Sequence, residues 1–533
     1  MGGTAASMLL LFTLIPCCFA SDVLKKTRLG WIKGNQLQVL GHTVDEFRGI
    51  PYAHPPLNAL RFRPPRPYGP WNGTLDARSK RTACPQVVTN PKAYAGIQLT
   101  EDCLQLNIWS PQTRTRDVVP VLVWIHGGGF TSGSSALDWY NGVVLAARTG
   151  LVVASFNYRL NLLGFLDAQT PQAPGNVGFL DQNLALQWIR ANIDQYGGDA
   201  SRVTIFGDSA GGMSVHGHLI SPLSSGLFTR GYLMSGTLHG RDFCEPSNDS
   251  ISKGDLVAKA VGCADSERNL TTDPEFVLDC LRSQNASELV RATSAVISHK
   301  HFPFLPSYPN HFFPMDPSAA VKQGRFNAAA FMVGVTSDEG STALRSLPNN
   351  LDHIDRNILE RTLRSLVYPW LKTNFSKPLD LYKAEASDNE LLRRAYTDYL
   401  SDSVFFCPMH FTAAGHSNRN QSVYTYVFGH QSKKNLLPSW MGIPHSYDVN
   451  YMFGRPLVDQ HNFTAEDARV SELEIKALST FASTGEPMLP GDHPWPKYTS
   501  DNTVSVYISG DNVTEIRDFH MEKCEVWRKF WNM

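Results

Sequence analysis

Short apolar runs alternate along this chain with stretches of helical period, and the most informative run lies near residue 205. Val203–Phe206 is a continuous β-branched and aromatic segment, which is typical of a buried strand. A turn rich in small residues follows at 207–212, and apolar positions then recur with helical spacing from Met213 to Ile220. The pattern predicts a strand, a sharp turn and a helix.

Similar patterns elsewhere predict a mostly parallel sheet with helices on both faces, because strands alternate with helices over the first half of the chain. Helical periods occur in Leu180–Tyr196, which stops at Gly197, and in Glu466–Ala482. The further predicted strands are Leu104–Trp109, Val119–Ile125, Leu151–Phe156, Tyr232–Met234, Phe331–Val335 and Val423–Phe428.

Other parts of the chain depart from this alternation. Asp22–Ala53 predicts antiparallel edge strands with turns at Gly34-Asn35 and at Gly41. Residues 248–327 and 351–420 are polar and irregularly helical, which predicts insertions that cap one end of the sheet. Since the chain shows no repeat or low-complexity tract, we expect one domain over residues 21–533, either monomeric or paired as a homodimer through the amphipathic stretch 519–531.

Composition excludes several classes of partner. The 533 residues are 42% hydrophobic and 18% charged, an ordinary globular balance, and the net charge is -1. A nearly neutral chain predicts no nucleic-acid partner and no anionic membrane surface.

The first twenty residues resemble a signal peptide. Met8–Phe19 is an apolar core, and Cys18–Ala20 is a small-residue cleavage site, although no Lys or Arg precedes them. A membrane anchor is the alternative, but the apolar run is short for one. We therefore expect cleavage after Ala20 and a secreted protein without a membrane anchor.

Cysteines and glycosylation sequons agree with secretion. Seven cysteines follow the leader, which in a secreted chain suggests three bridges and one free thiol. They are Cys84, Cys103, Cys244, Cys263, Cys280, Cys407 and Cys524. Acceptor sequons begin at Asn72, Asn248, Asn269, Asn285, Asn374, Asn420, Asn462 and Asn512.

The turn after Val203–Phe206 contains Ser209 in a G-x-S-x-G pattern. In the strand–turn–helix context this pattern predicts a nucleophile elbow, in which a serine is held exposed on a tight turn. A serine hydroxyl needs a base and a third group that orients the base. In enzymes with a nucleophile elbow, the acid and then the histidine follow the serine along the chain.

Candidates for the acid and the base lie downstream. The predicted strand Phe331–Val335 leads to Asp338 and Glu339, either of which can orient a histidine, and the pattern alone does not choose between them. Eight histidines follow, of which His445 lies in a loop crowded with aromatic residues, glycine and proline. That environment suits an imidazole held at a partly dry site.

A glycine run completes the constellation. His126-Gly127-Gly128-Gly129-Phe130 follows the apolar strand Val119–Ile125. Glycines let backbone N–H groups converge on one point, so Gly128 and Gly129 are predicted to form an oxyanion hole together with the N–H of Ala210.

These motifs resemble the type-B carboxylesterase and lipase family, and in particular its cholinesterase-like members, from about residue 25 to the C-terminus. The stretches that carry the resemblance are Glu101–Trp109 (EDCLQLNIW), Phe206–Gly212 (FGDSAGG) and the W-M-G-x-x-H-x-Y pattern of Trp440–Tyr447. The resemblance implies an α/β-hydrolase fold and a serine carboxylic ester hydrolase that acts on small-molecule esters and needs no metal or cofactor.

The resemblance also implies roles for individual residues. It favours Glu339 over Asp338 as the acid, and it pairs Arg61 with Glu101 in a buried ion pair. It implies the bridges Cys84–Cys103, Cys263–Cys280 and Cys407–Cys524, with Cys244 free. The predicted substrate-pocket residues are Asp208, Phe130, Phe302 and Trp440.

Departures from acetylcholinesterases bear on the substrate. Those enzymes carry a choline-binding tryptophan between the first two bridged cysteines, whereas Pro85–Asp102 contains none. Ser341–Leu344 stands where gorge aromatics are expected, Thr131 replaces a rim tyrosine, and Lys300 replaces one acyl-pocket phenylalanine. We therefore expect a broader esterase with weak preference for choline esters.

Two alternatives remain open. One is an acetylcholinesterase that uses other aromatic residues, such as Trp440 or Tyr94. The other is a non-catalytic adhesion protein similar to neuroligins, which the retained Ser209, Glu339 and His445 disfavour.

Overall fold

A mixed sheet of 13 strands organises the protein. The computed structural model describes residues 21–112, 117–239, 243–297, 304–344, 381–382 and 388–531. The predicted leader and Phe302 lie outside these residues, as does half of the predicted insertion at 351–420.

The strands of this sheet are numbered here in chain order. They are β1 Ser21–Thr27, β2 Gly30–Val39, β3 His42–Pro51, β4 Thr74–Asp76, β5 Gln105–Pro111, β6 Val119–Ile125, β7 Val152–Phe156, β8 Gly198–Asp208, β9 Arg230–Met234, β10 Ala330–Thr336, β11 Val423–Phe428, β12 Val504–Ser509 and β13 Asn512–Arg517.

The centre of the sheet is parallel and its margins are antiparallel. The order across the sheet is β1-β2-β3-β5-β7-β6-β8-β9-β10-β11-β12-β13, with β4 paired to β2. Strands β7, β6, β8, β9, β10, β11 and β12 run parallel, whereas β1, β2, β3 and β5 form an antiparallel margin and β13 returns antiparallel to β12. This strand order, together with the helices that cover the sheet, confirms the predicted α/β-hydrolase architecture.

Helices connect and cover the strands. They are α1 Val143–Thr149, α2 Asn161–Phe165, α3 Val177–Asn192, α4 Ala210–Ile220, α5 Ser247–Ala260, α6 Pro274–Ser283, α7 Ala286–Ala292, α8 Ser294–Ile297, α9 Pro317–Lys322, α10 Ser341–Leu344, α11 Asn389–Leu400, α12 Cys407–Ser417, α13 Val449–Met452, α14 Arg455–Val458, α15 Ala465–Thr484 and α16 Met521–Trp531. A π-helix, Ser401–Phe406, joins α11 to α12.

Apolar cores lie on both faces of the sheet because side chains alternate along each strand. On β6, Val121, Val123 and Ile125 pack into one core, whereas Leu122 and Trp124 pack into the other. Burial on both faces explains why this strand is a continuous apolar run.

The predicted turn at Gly34-Asn35 is wrong, because both residues lie within β2. A side chain at Gly34 would place its Cβ 2.4 Å from the Glu46 carbonyl oxygen and 2.5 Å from the Phe47 ring. The glycine is therefore required by close packing of β3 against β2. The predicted turn at Gly41 does join β2 to β3.

Three disulfides and one ion pair match the implied pattern. The bridges are Cys84–Cys103, Cys263–Cys280 and Cys407–Cys524, and Cys244 is a buried free thiol. The Arg61 guanidinium binds Glu101 at 2.7 and 2.8 Å. It also donates to the carbonyls of Leu281, Arg282 and Gln284, so the pair fastens the first bridged loop to the end of α6.

Within the described ranges, none of the helices has the length and apolar character needed to cross a membrane.

Candidate active site

Ser209 occupies the sharp turn between β8 and α4. Its backbone has φ 59° and ψ −124°, a conformation that non-glycine residues seldom adopt. The Ser209 N–H donates to the Met234 carbonyl at 2.8 Å, which ties the turn to the end of β9. A side chain at Gly236 would place its Cβ 2.1 Å from the Ser209 carbonyl oxygen. The turn is strained and tightly enclosed, as a nucleophile elbow requires.

The glycine run lies against this turn. A side chain at Gly127 would place its Cβ 2.5 Å from the Asp208 carbonyl oxygen and 3.0 Å from Ser209 Cβ. Gly128 has φ +114°, and a Cβ there would lie 2.1 Å from the Ser132 carbonyl oxygen. Only glycine permits both this close approach and this backbone conformation. The loop therefore packs directly against the Ser209 turn.

His126 anchors the glycine run. Its ring stacks on Tyr158 with centroids 4.4 Å apart, and the Tyr158 hydroxyl donates to the His126 carbonyl at 2.9 Å. Burial lowers the pKa of His126 to about 4. A neutral imidazole whose Nδ1–H donates to the Gly127 carbonyl, 2.9 Å away, holds the loop without adding charge beside the site.

Phe130, which is predicted to line the substrate pocket, contacts two other aromatic rings. Its ring is fully buried and packs edge-on against Phe165, with centroids 5.1 Å apart. Phe179 covers it on another side. Phe130 has φ +60°, so its backbone leaves the glycine run in the left-handed conformation. It supports the loop from behind.

Glu339 is the carboxylate that meets the histidine, as the family resemblance implied. Its Oε1 accepts hydrogen bonds from Ser235 Oγ at 2.5 Å and from the Thr336 N–H at 2.7 Å. Asp338 turns away: its Oδ1 pairs with Arg394 at 2.7 Å and its Oδ2 accepts the Ile443 N–H at 3.0 Å. Glu339 orients the histidine, and Asp338 ties together the two loops that carry the pair.

His445 Nδ1 lies 2.5 Å from Glu339 Oε2. Burial lowers the pKa of His445, but the Glu339 carboxylate outweighs it and raises that pKa to about 9. In the neutral ring the Nδ1–H donates to Glu339, so Nε2 is left as the acceptor nitrogen. The imidazole is therefore oriented and made more basic, which are the two properties that a general base for a serine requires.

Asp208, the residue before Ser209, is buried and is linked to the loop that carries His445. Ser446 Oγ donates to Asp208 Oδ2 at 2.5 Å. Burial raises the pKa of Asp208 to about 6, against the opposing effects of His445 and of the Ser446 hydrogen bond. Its Oδ1 is buried with no hydrogen bond to any described residue.

The π-helix Ser401–Phe406 packs on the Glu339–His445 pair, which no sequence pattern indicated. Ser401 Oγ accepts the Gly340 N–H at 2.9 Å, and the Phe405 ring centroid lies 4.7 Å from that of His445. Asp402 Oδ1, within the same turn, lies 2.6 Å from His520 Nδ1 near the start of α16. The acid–base pair therefore rests on a segment that the C-terminal helix braces.

Two more buried carboxyl groups lie behind the site. The Tyr426 hydroxyl donates to Asp448 Oδ2 at 3.2 Å, and burial raises the pKa of Asp448 well above its usual range. Glu474, on α15, is only 1% exposed, and burial raises its pKa to about 8. At neutral pH Glu474 is therefore a neutral acid.

Two predicted pocket residues have no described contact with the triad. Trp440 is half-buried on the turn Ser439–Met441, next to the core formed by α11 and α16. The Arg393 guanidinium lies 5.9 Å from its ring centroid. Phe302 lies outside the described residues.

Sequence reasoning missed Ser235, Ser401, Phe405 and Ser446. Two of them had a usable signal. Ser446 adjoins His445, and Ser235 directly follows β9, at the carboxyl edge of the parallel strands where ligand sites of α/β proteins lie. Ser401 and Phe405 come from a segment distant in sequence and had none.

Comparison with known proteins agrees with this geometry. A sequence model described as "Carboxylesterase family" matches residues 21–527. Acetylcholinesterase of Bungarus fasciatus is 37% identical over 549 aligned positions, covering 98% of this chain and 89% of that protein. Acetylcholinesterase of Electrophorus electricus is 34% identical, covering 95% and 87%. That of Danio rerio is 33% identical, covering 98% and 90%.

The residues matched by the family model include the Ser209 turn, the glycine run, the Glu339–His445 pair and all three disulfides. This chain belongs to the carboxylesterase family.

Proposed function

We propose that this protein hydrolyses carboxylic esters through an acyl-enzyme on Ser209, with His445 as general base and acid and Glu339 as the group that orients it. The observation that carries the proposal is the 2.5 Å contact between His445 Nδ1 and Glu339 Oε2, which leaves Nε2 as the accepting nitrogen. The strained turn at Ser209 supports it independently.

The first half of the reaction follows from these roles. Ser209 Oγ attacks the ester carbonyl carbon while its proton passes to His445 Nε2. The carbonyl π electrons move onto oxygen and form a tetrahedral oxyanion. When this intermediate collapses, the C–O bond to the alcohol breaks and the imidazolium gives its proton to the departing alkoxide. The acid remains esterified to Ser209.

Water then repeats the sequence on the acyl-enzyme. His445 takes a proton from the water as it attacks, and returns it to Ser209 Oγ as the acid leaves. In both halves we assign the oxyanion to the N–H groups of Gly128, Gly129 and Ala210. The conformation of the glycine run at Gly128 and its contact with the Ser209 turn support this assignment.

Removal of the nucleophile tests the proposal. Ser209→Ala should lower kcat for phenyl acetate by at least 10⁴-fold, because the remaining contacts position the ester but supply no nucleophile. Ser252→Ala, which alters an exposed serine on α5, is the matched control and should keep full activity. Retained turnover in a folded Ser209→Ala protein would overturn the assignment. Mass spectrometry should place an organophosphate adduct on the peptide that contains Ser209.

For the substrate, we propose uncharged aliphatic or aryl esters. The support is compositional: the loop between Cys84 and Cys103 lacks the tryptophan that binds choline in acetylcholinesterases, and Ser341–Leu344 supplies no aromatic side chain. A cationic substrate would have fewer aromatic faces to bind than in those enzymes.

Choline ester hydrolysis is the second candidate, since the similar relatives are acetylcholinesterases. One structural observation favours it: Asp208 adjoins the nucleophile and its buried Oδ1 has no hydrogen bond among the described residues. Comparing kcat/KM for acetylthiocholine and phenyl thioacetate decides between the two. A large advantage for acetylthiocholine, lost in Asp208→Asn, would establish the second candidate.

We further propose that the mature protein begins at Ser21 and acts outside the cell as a single catalytic domain, as a monomer or homodimer. The three disulfides are compatible with an oxidising compartment. Intact-mass analysis and N-terminal sequencing of protein from a culture medium, with sedimentation equilibrium, test these points.

A further inference from the structure

An apolar cavity of about 290 Å³ lies at the far end of α4 from Ser209. Its wall includes Ile220 at the end of that helix, Phe313, and Ala320 on α9, all of them buried. The volume is roughly twice the ~150 Å³ of an engineered apolar cavity that holds benzene. There is room for an acyl chain or a substituted ring.

The cavity wall is held in place by its own hydrogen bonds. Asn327, which lines the cavity, donates from Nδ2 to the carbonyls of His218 and Ser221, each at 2.8 Å. The Phe326 ring, another part of the wall, stacks on His416 with centroids 4.1 Å apart. A preformed wall lowers the entropy cost of binding, because few side chains must be ordered.

The charge at the cavity is positive. Arg325 lines it and is exposed, and its guanidinium forms no ion pair with any residue that the structure describes. Lys322 ends α9, and Arg419 Nη2 donates to the Lys322 carbonyl at 3.3 Å. Asp316 does not line the cavity; it caps α9, where its Oδ1 accepts the Ala319 N–H at 2.9 Å.

We propose that this cavity is a second binding site, separate from Ser209, for amphipathic carboxylates, with the chain in the apolar wall and the carboxylate on Arg325. An apolar cavity alone would accept any small hydrophobe. A cation available at its mouth selects an anionic head, and guanidinium matches a carboxylate with two parallel hydrogen bonds. Free acids of this kind are the class of product that ester hydrolysis releases, but the site itself does not depend on the proposed function.

Calorimetric titration of the intact protein with sodium octanoate tests the inference. Octylammonium chloride, which carries the same chain with the opposite charge, is the matched probe. Octanoate should bind at least about 5-fold more tightly than octylammonium, since one charge complements Arg325 and the other is repelled. Equal or tighter binding of octylammonium would overturn the carboxylate class.

Two variants locate the binding. Ala320→Trp places an indole in the cavity and should abolish the octanoate heat, and Arg325→Gln should weaken binding by roughly 3- to 10-fold. Arg66→Gln, an exposed arginine that does not line the cavity, should bind as the unmodified protein does. Thermal unfolding, which is independent of ester hydrolysis, reports whether each variant is folded.

The outcomes separate cleanly. Octanoate binding that survives in folded Ala320→Trp, for instance because the acid occupies the Ser209 site, would overturn the proposal. Unchanged octanoate affinity in Arg325→Gln would also overturn the proposal. Because Arg325 is exposed, this variant remains a valid test if Ala320→Trp does not fold. Absence of octanoate binding would overturn it as well. None of these results bears on hydrolysis by Ser209, which the Ser209→Ala comparison measures separately.

Discussion

Ser446 Oγ donates a hydrogen bond to Asp208 Oδ2 over 2.5 Å, and this contact joins the neighbour of His445 to the neighbour of Ser209. The two residues are 238 positions apart in sequence. The contact fixes the loop that carries His445 relative to the turn that carries Ser209, although the two belong to different parts of the chain.

We expect Ser446→Ala to lower kcat/KM for phenyl acetate by about 10-fold, since one hydrogen bond to a charged group contributes roughly 1.5 kcal/mol. The loss should fall mainly on kcat, because the bond positions the catalytic groups rather than the ester. Steady-state kinetics measures it. Ser439→Ala, an exposed serine of the same loop, is the control. Equal kinetics in both variants would show that Asp208 and Ser446 do not couple the two loops.

The pH dependence of hydrolysis should reflect the Glu339–His445 pair. The pKa of His445 is raised to about 9, and only the neutral ring accepts a proton from Ser209. Activity should therefore rise with pH along a limb whose midpoint lies above the ordinary imidazole value of 6.5. In Glu339→Gln the negative charge that stabilises the His445 imidazolium is gone. This variant should therefore have its midpoint at lower pH and a lower activity at the high-pH plateau.

Measurement of kcat/KM with an uncharged ester tests this expectation. The pH should range from about 5.5 to about 10, so that it includes both the ordinary imidazole pKa and the raised pKa of His445. The same midpoint in both proteins would contradict it. Asp338→Asn is the matched control: it removes the adjacent carboxylate, which pairs with Arg394, and should leave the midpoint in place.

Glu474 should make the protein less stable as the pH rises. Its pKa is about 8 in the folded state, against an ordinary value of 4.5. Below pH 4.5 the carboxyl is protonated in both states and has no effect. Between these two values the unfolded chain releases the proton and the folded chain retains it, so stability falls by up to about 1.4 kcal/mol per pH unit.

Glu474→Gln should therefore match the unmodified protein near pH 4.5 and exceed its Tm by a margin that grows towards pH 8. Thermal unfolding at several pH values measures the difference. Glu472→Gln, whose side chain is 41% exposed, should show no such trend. A constant difference at all pH values would show that Glu474 does not titrate as proposed.

The Cys407–Cys524 bridge should contribute stability to the segment below the acid–base pair. It closes 117 residues and joins the start of α12 to α16. Replacing both cysteines by serine should cost about 3 kcal/mol, mainly through greater freedom of the unfolded chain. Urea denaturation measures this cost. Cys244→Ser, which changes a buried free thiol, is the comparison, and a double variant as stable as the unmodified protein would contradict the expectation.

Local sequence was sufficient to predict the nucleophile turn. Val203–Phe206 is apolar because β8 is buried on both faces, and small residues surround Ser209 because the glycine run and Gly236 approach its backbone closely. Such constraints act between near neighbours or along one strand, and they leave a readable pattern. The parallel sheet followed for the same reason, from strands that alternate with helices.

Other features depended on contacts between distant segments. The local pattern did not distinguish Asp338 from Glu339, and the choice of Glu339 came from the family resemblance. The folded loops show that Asp338 pairs with Arg394 and that Glu339 contacts His445. The contacts of the Phe130 ring with Phe165 and Phe179 likewise join separate segments and could not be read from the sequence.

The sequence by itself determined which residues have the chemistry for ester hydrolysis, since a serine elbow, a glycine run and a histidine loop are local patterns with local causes. The family resemblance had favoured Glu339 as the acid, but only the tertiary structure shows its contact with His445, and only the tertiary structure decided that Ser446 and Phe405 support the site. These contacts join segments from about 40 to more than 200 residues apart, and their geometry arises from packing of the whole sheet and its helices rather than from any short stretch of chain.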